Sequence, residues 1–237
     1  MAGTAKIFLS VRGRYDYTVA TVEGIVKNAG EAVDLCIFDD RSEGVDGARL
    51  WQLYGELRRR GELSLLVVNT ERTTGRYPWG KPVMLSQFAK LMELESFRAG
   101  TDLAAIIDND VELRPNWLAS TRRTLELAER QWPGRVAVAS PIHDTVHPVV
   151  EEVTLASGVG VLLKLNLGAA VWVFRPDFFN RYGLPDLRYA GHGAEDWYYE
   201  GIFKTKKHLI VVLAEPLAFH AGAGDSARKA FHGKRSY

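Results

Sequence analysis

The chain has 237 residues and a mass of 26.4 kDa, the size of one α/β domain or two small ones fused closely. Apolar residues make up 46% and charged residues 25%, which excludes a disordered chain, a collagen-like repeat and a disulfide-stapled mini-protein. Thirty Lys and Arg face 29 Asp and Glu, so a net charge of +1 advertises no nucleic-acid or membrane partner. The single Cys36 lies in the apolar run 33–38 and reads as a buried small hydrophobe with no disulfide partner, compatible with a reducing compartment. No run approaches the roughly 18 apolar residues of a membrane span. The opening ten residues turn polar too soon for a secretory signal. A soluble, cytoplasmic protein with one core is expected.

The first half alternates short apolar runs with helical patterns. Residues 6–11 predict a strand, and the spacing of Val19, Val22, Ile25 and Val26 predicts a helix over 17–28. Strand 33–38, helix 47–60, strand 63–68 and helix 82–99 follow, and a fourth apolar run, 103–107, ends abruptly at Asp108. Strands alternating with helices of this length predict parallel βαβ units.

After residue 110 the rhythm changes. Residues 115–129 predict a helix, with Pro115 near its first turn, where a missing N–H costs nothing. A short strand at 136–139 leads into a polar stretch reaching about residue 152. The β-branched runs 153–163 and 169–174 suit antiparallel strands. A Gly-rich loop at 189–194, a helix from Glu195 and a last strand at 209–213 complete the pattern. From Gly201 onward seven Lys and Arg stand against Glu215 and Asp225, a local excess that the overall balance hides.

Several motifs fail on inspection. Residues 75–82 mimic a phosphate-binding loop, but Pro82 stands where a Ser or Thr hydroxyl would reach Mg²⁺. Gly158-Val-Gly160 lacks the third glycine of a dinucleotide fingerprint and lies far from the first βα turn. His143 and His147 have helical metal spacing, yet Pro141 and Pro148 bracket them and make a loop the better reading. No Gly-x-Ser-x-Gly elbow supports a serine hydrolase.

Asp108-Asn109-Asp110 is the strongest chemical signal. In extended chain an i, i+2 pair points both carboxylates the same way. Open α/β sheets bind ligands beyond the carboxyl ends of their strands, and two hard oxygen donors suit a Mg²⁺ or Mn²⁺ that also holds a diphosphate. An Asx-turn leaving a strand would give the same triplet without a metal. Three features favour the metal. Phe38-Asp39-Asp40 ends the second strand on the same edge; Glu195-Asp196-Trp197 opens a helix behind a glycine loop; and His220 follows the last strand as a nitrogen donor. Each has a plain alternative, such as an acidic helix cap answering the dipole or a lone satisfied histidine.

Together these residues resemble a nucleotide-sugar glycosyltransferase of the GT-A fold, nearest the large family 2 group. The elements that carry the likeness are Ser10-Val11-Arg12, Ile37 through Ser42, Ile107 through Asp110, Glu195-Asp196 and His220. The resemblance implies a Rossmann-like α/β fold with a mostly parallel central sheet flanked by helices. It covers 1–237 as one catalytic domain, with 1–110 the nucleotide-binding half and 111–237 the acceptor-binding half. Ser10, Arg12, Asp39 and Asp40 would hold nucleobase and ribose, and a carboxylate accepting the uracil N3–H makes a UDP-sugar the expected donor. Asp110 would ligate Mn²⁺ or Mg²⁺ directly, Asp108 would face ribose or a metal-bound water, and His220 resembles the late metal-ligating histidine of some members. Asp196 resembles the general base that deprotonates the acceptor hydroxyl, with Glu195 orienting donor or acceptor; such a base implies direct displacement with inversion.

The departures from that pattern also set expectations. Where many members carry Ala-Arg-Asn, this chain reads Trp79-Gly80-Lys81-Pro82. Lys81 at a helix N-terminus either takes over a diphosphate contact or is simply solvated. The short stretch after His220 favours single transfers over processive synthesis. Arg228, Lys229, Lys234 and Arg235 suit a lid over the diphosphate, recognition of an anionic acceptor, or a frayed terminus. Trp172, Trp197, Tyr198, His143 and His147 are acceptor-side candidates, because aromatic faces stack on sugars and bases, or are ordinary core residues. The acceptor itself is open among a glycan, a lipid, a small molecule and a modified DNA base. Two rivals stand beside this reading. A nucleotidyltransferase also uses a strand-end Asp-x-Asp, but usually opens with a Gly-rich loop, and 10–15 hold one glycine. A non-catalytic nucleic-acid-binding module would rest on the basic end and weaken steeply with salt.

Overall fold

The protein was analysed as a computed structural model that describes residues 3–69, 80–142, 147–184 and 194–221, with the side chains of 194–197 excepted. His143, the side chains of Glu195, Asp196 and Trp197, and the basic tail therefore lie outside the described residues. In chain order the elements are β1 (Thr4–Val11), α1 (Tyr15–Asn28), β2 (Val33–Asp39), α2 (Gly44–Arg59), β3 (Leu63–Val68), α3 (Lys81–Glu93) and α4 (Glu95–Arg98). They continue with β4 (Thr101–Asp108), β5 (Val111–Leu113), α5 (Trp117–Gln131), β6 (Val136–Ser140), β7 (Val149–Thr154) and β8 (Gly160–Lys164). The last are β9 (Val171–Phe174), α6 (Phe178–Tyr182), α7 (Ala194–Lys206), β10 (Leu209–Leu213) and β11 (Ala218–His220). Among the described residues no helix is long and apolar enough to cross a membrane.

Nine strands form one mixed sheet in the order β3-β2-β1-β4-β9-β6-β10-β8-β7. The βαβ half is parallel as expected: β1 pairs with β2 and β4, and β2 with β3. β9 then runs antiparallel to β4 and joins the second half, in which β6 and β10 are parallel and β8 and β7 antiparallel. The inner strands are buried on both faces, which is why β1, β2 and β4 read as nearly unbroken apolar runs.

Helices cover this sheet through a chain of aromatic rings. Phe8 and Phe38 lie 4.8 Å apart on β1 and β2, and Phe88 of α3 sits against both. Phe88 meets Phe179 of α6, whose neighbour Phe178 packs at 5.0 Å on Tyr199 of α7. Trp172, expected on the acceptor side, is fully buried against Tyr199 and Phe203; here it is a core residue.

The periodicity misjudged several boundaries. The single helix expected over 82–99 is two, because Leu94 is extended (φ −75°, ψ 120°). The break lets Phe97 turn back onto Phe88 and beneath the Lys6 ammonium. The run 153–163 is a hairpin, β7 and β8, turned at Gly158 with φ +83°. β7 begins inside the stretch expected to be loop, as an exposed edge strand, and α6 was not anticipated.

One part-buried ion network fixes α5 to the sheet. Arg122 forks onto Glu31, with its shortest nitrogen–oxygen distance 2.6 Å, and onto Asp102 at 2.7 Å at the start of β4. Burial alone would push the Asp102 carboxyl up, but the Arg122 guanidinium and the Gly3 N–H hold it below its ordinary value. Its contribution is therefore present above the ordinary carboxylate range and is lost as pH falls through the depressed value. Arg122→Ala should lower unfolding stability by about 1–2 kcal/mol near neutral pH, since two carboxylates lose their cation but water still reaches both. In urea titrations the deficit should shrink on acidification; a deficit independent of pH would assign the loss to packing instead.

Candidate functional site

The parallel pairing lines up the carboxyl ends of the first four strands. Ser10 stands in register with Asp108, and Val11 and Val68 flank Asp39. Every group leaving these strand ends is thereby delivered to one edge, where open α/β sheets bind ligands.

Asp39 is 3% exposed and works inward: one oxygen accepts the Ser42 N–H and the other the Tyr54 hydroxyl, both at 2.7 Å. Burial and the Asp39 charge push the Tyr54 phenol well up, so it stays a donor. Asp40 faces the neighbouring loops. It accepts from Arg12 at 3.3 Å, from the Asn69 amide at 3.0 Å and from the Gly80 N–H at 3.1 Å. Gly80 has φ 85° and ψ −165°, a conformation essentially reserved for glycine, and this turn both offers its N–H to Asp40 and starts α3 at Lys81.

The acidic triplet is folded differently from the extended pair anticipated. Asp108 ends β4, and the chain then turns through Asn109 and Asp110. Asn109 points back, its amide donating to Gly13 O at 3.2 Å and Thr18 Oγ1 at 2.8 Å. The turn, and not strand alternation, brings the two carboxylates together. Asp108 is paired with Lys81 at 2.6 Å, and Lys81 also donates to the Ala169 carbonyl. Asp110 is buried, with Arg14 at 2.5 Å.

β5 and β11 complete the group as a separate two-stranded ribbon in which His220 faces Val111. The Ala221 N–H adds a 2.8 Å bond to the Asp110 carbonyl. β5 is pinned to α1: Thr21 Oγ1 both donates to Val111 O and accepts its N–H, and Asn28 donates to Leu113 O. Gly24 lets the helix come this close, since a Cβ there would stand 2.9 Å from the Leu113 Cβ. His220 Nδ1 consequently lies 3.6 Å from Asp110 Oδ2, and one ligand atom each from Asp108, Asp110 and His220 fall within 4.8 Å of one another. Two hard oxygens and an imidazole nitrogen fit Mn²⁺ or Mg²⁺. The two cations on the carboxylates compensate the same charge that such an ion would.

Of the residues expected from sequence, Asp108, Asp110, His220 and Lys81 come together, and Arg12, Asp39 and Asp40 line the adjoining edge. Tyr198 donates to Tyr182 O and packs on Tyr199, while the His147 carbonyl accepts the buried Lys164 ammonium. Sequence reading missed Arg14, Asn69 and Glu200. Asn69 is the first residue beyond the third strand, a position that could have been flagged as Asp39 and Asp108 were. Glu200 is a buried carboxylate on α7 that accepts the Leu167 N–H at 2.8 Å. It thereby ties α7 to the loop whose Ala169 and Ala170 carbonyls receive Lys81 and the Asp108 N–H.

Solved structures share this architecture. GalNAc-T7 with UDP, GalNAc and Mn²⁺ matches at a TM-score of 0.62 and 12% identity, over 90% of this chain and 42% of its own. The mannosyltransferase PcManGT from Pyrobaculum calidifontis, in complex with GDP-Man and Mn²⁺, matches at 0.54 and 14%, over 91% and 58%. Residues 1–349 of S. aureus TarS match at 0.58 and 10%, over 92% and 60%. The chain thus has the GT-A fold and spans between 42% and 60% of the lengths of these three proteins. No protein-family model and no curated sequence matches it.

Thr21→Val removes the hydroxyl that satisfies both polar groups of Val111 without changing side-chain volume. The loss of stability should be about 2–3 kcal/mol in chemical denaturation, with Mn²⁺ affinity falling as the ribbon loosens. An unchanged Mn²⁺ affinity would mean that α1 does not set the position of the metal group.

Proposed function

We propose that the protein is a metal-dependent glycosyltransferase that moves a sugar from a nucleotide-sugar, with UDP the favoured nucleotide, to an acceptor hydroxyl with inversion. The observation that carries the reading is the Asp108, Asp110 and His220 group at the carboxyl edge of the parallel strands. Two proteins of the same fold, bound to Mn²⁺ with UDP or GDP-Man, support a donor of this class.

In this reading Asp108, Asp110 and His220 hold Mn²⁺ or Mg²⁺. When bound, the ion acts as a Lewis acid that neutralises charge on the departing diphosphate. Arg12, Asp40 and Asn69, already joined across the loops, form the nucleobase and ribose side, with Asp39 and Ser10 beneath them. Lys81, anchored on the Ala169 carbonyl, holds a positive charge at the start of α3 toward the phosphates. Asp196, in the first turn of α7, takes the proton from the acceptor hydroxyl while that oxygen bonds to the anomeric carbon and the bond to phosphate breaks. Glu195 orients donor or acceptor, and Glu200 keeps α7 against the loop beside Lys81. Residues 111–237 would then form the acceptor side, with Trp197 and His143 as stacking or hydrogen-bonding groups there.

Calorimetric titration of UDP and GDP, each with and without Mn²⁺, tests the donor half. UDP should bind only with metal, and Asp110→Asn should abolish that dependence. GDP binding in its place keeps the mechanism and changes the donor. Absence of metal-dependent binding by either nucleotide removes the reading. Asp196→Asn should retain donor binding and lose turnover by about 10²–10⁴-fold; full turnover would withdraw the base assignment.

A further inference from the structure

The loop after β1 aims a cation at the metal group itself. Arg14 Nη1 stands 2.5 Å from Asp110 Oδ2, the oxygen that also lies 3.6 Å from His220 Nδ1. The guanidinium therefore occupies the carboxylate oxygen that faces the histidine ligand. A divalent ion that took this oxygen would stand close to the guanidinium, and the two charges repel at short range, so the ion competes with Arg14 for Asp110.

Lys81 stands differently on Asp108. Its ammonium also donates to a backbone carbonyl and its side chain is 12% exposed, against 30% for Arg14. Lys81 is built into the edge, whereas Arg14 reaches in from the solvent side. The backbone that presents Arg14 is held in an unfavourable state. Its φ of 56° and ψ of 50° are left-handed, a conformation costly for any residue with a Cβ. Asp46 fixes it by accepting the Arg14 and Tyr15 N–H groups, and Ser42 accepts the Gly13 N–H at 2.7 Å. A glycine would adopt this turn without strain. What arginine adds at position 14 is a planar, permanently charged fork, suited equally to a carboxylate and to phosphate oxygens.

We infer that Arg14 is a placeholder cation: it neutralises Asp110 before loading and transfers to the diphosphate when donor and metal enter together. The inference rests on the donor-site reading above and assigns a binding residue that reading lacked. Metal entering alone weakens the Arg14–Asp110 ion pair and leaves the guanidinium beside a dication. Metal entering with a nucleoside diphosphate gives the same guanidinium a new anion. Metal and nucleotide therefore bind cooperatively, each raising the affinity of the other by the same factor.

The test titrates Mn²⁺ alone, followed by the paramagnetic resonance of free Mn²⁺, and then UDP and GDP at saturating Mn²⁺, on wild type, Arg14→Gln and Arg14→Gly. Arg14→Gln should bind Mn²⁺ alone about tenfold tighter and nucleotide with Mn²⁺ about tenfold weaker, the worth of one charge-assisted hydrogen bond in each state. Arg14→Gly, whose relief of the left-handed backbone offsets part of the loss of Asp110's cation, should shift both affinities in the same directions while keeping a single cooperative thermal transition, excluding a folding defect as the cause. Mn²⁺ affinity that is unchanged or weaker in both variants, while wild type binds nucleotide with metal, overturns this inference alone. Wild type that shows no metal-dependent nucleotide binding overturns the donor-site reading and this inference with it.

Discussion

Val111–Leu113 and Ala218–His220 are three residues each, too short to hold together unaided in water, yet their pairing decides where Asp110 and His220 meet. The ribbon persists because neighbours satisfy it on both sides. Thr21 and Asn28 of α1 bond the β5 backbone, and Gly24 admits the Leu113 side chain. The Pro141 carbonyl receives the Leu217 and Ala218 N–H groups at the foot of β11. With the ribbon in place, the Asp110 carbonyl is bonded to Ala221, and His220 is fixed beside a carboxylate 110 residues earlier in the chain. Remove the pairing and the acidic turn remains, but without the imidazole beside it.

The second constraint is charge. Four aspartates, 39, 40, 108 and 110, gather at one sheet edge, and three of them are buried or nearly so. Carboxylates placed so closely must each find hydrogen-bond donors. The chain solves this in two ways. Asp39 is satisfied internally by Ser42 and Tyr54 and becomes part of the scaffold. Asp40, Asp108 and Asp110 are instead met by Arg12, Lys81 and Arg14, long cations from the loop between β1 and α1 and from the start of α3. A structural acid and three acids met by side-chain cations thus share a single edge.

Much of this was legible in the chain. The four parallel strands and the first two helices were placed to within a few residues, because inner strands read as apolar runs and the covering helices have one apolar face. The strand-end acids could be ranked as candidates because βαβ order fixes which ends share an edge. Misses followed from length and context. β5, β11 and α6 are too short to show a period, and the break at Leu94 carries no proline or glycine. Trp172 could be read as an acceptor platform or as core, and its register opposite Ile106 on an inner strand made it core. Arg14 escaped notice because its role depends on a left-handed turn that Asp46 imposes from another helix.

The sequence by itself determined the class of fold, the parallel order of its first half, and the residue types that a divalent ion and a diphosphate require. These follow from local periodicity and from side-chain chemistry, both of which are written residue by residue. Only the tertiary structure decided how those residues meet. The His220 register and the Arg14 and Lys81 pairings each join segments far apart in the chain, and the Asp108–Asp110 turn is held by Gly13 and Thr18 some ninety residues earlier. Their geometry is set by hydrogen bonds and packing from third parties, namely Asn109 on Thr18, Thr21 on Val111 and Asp46 on Arg14. No spacing rule contains that information, because it resides in surfaces that exist only once the sheet has formed.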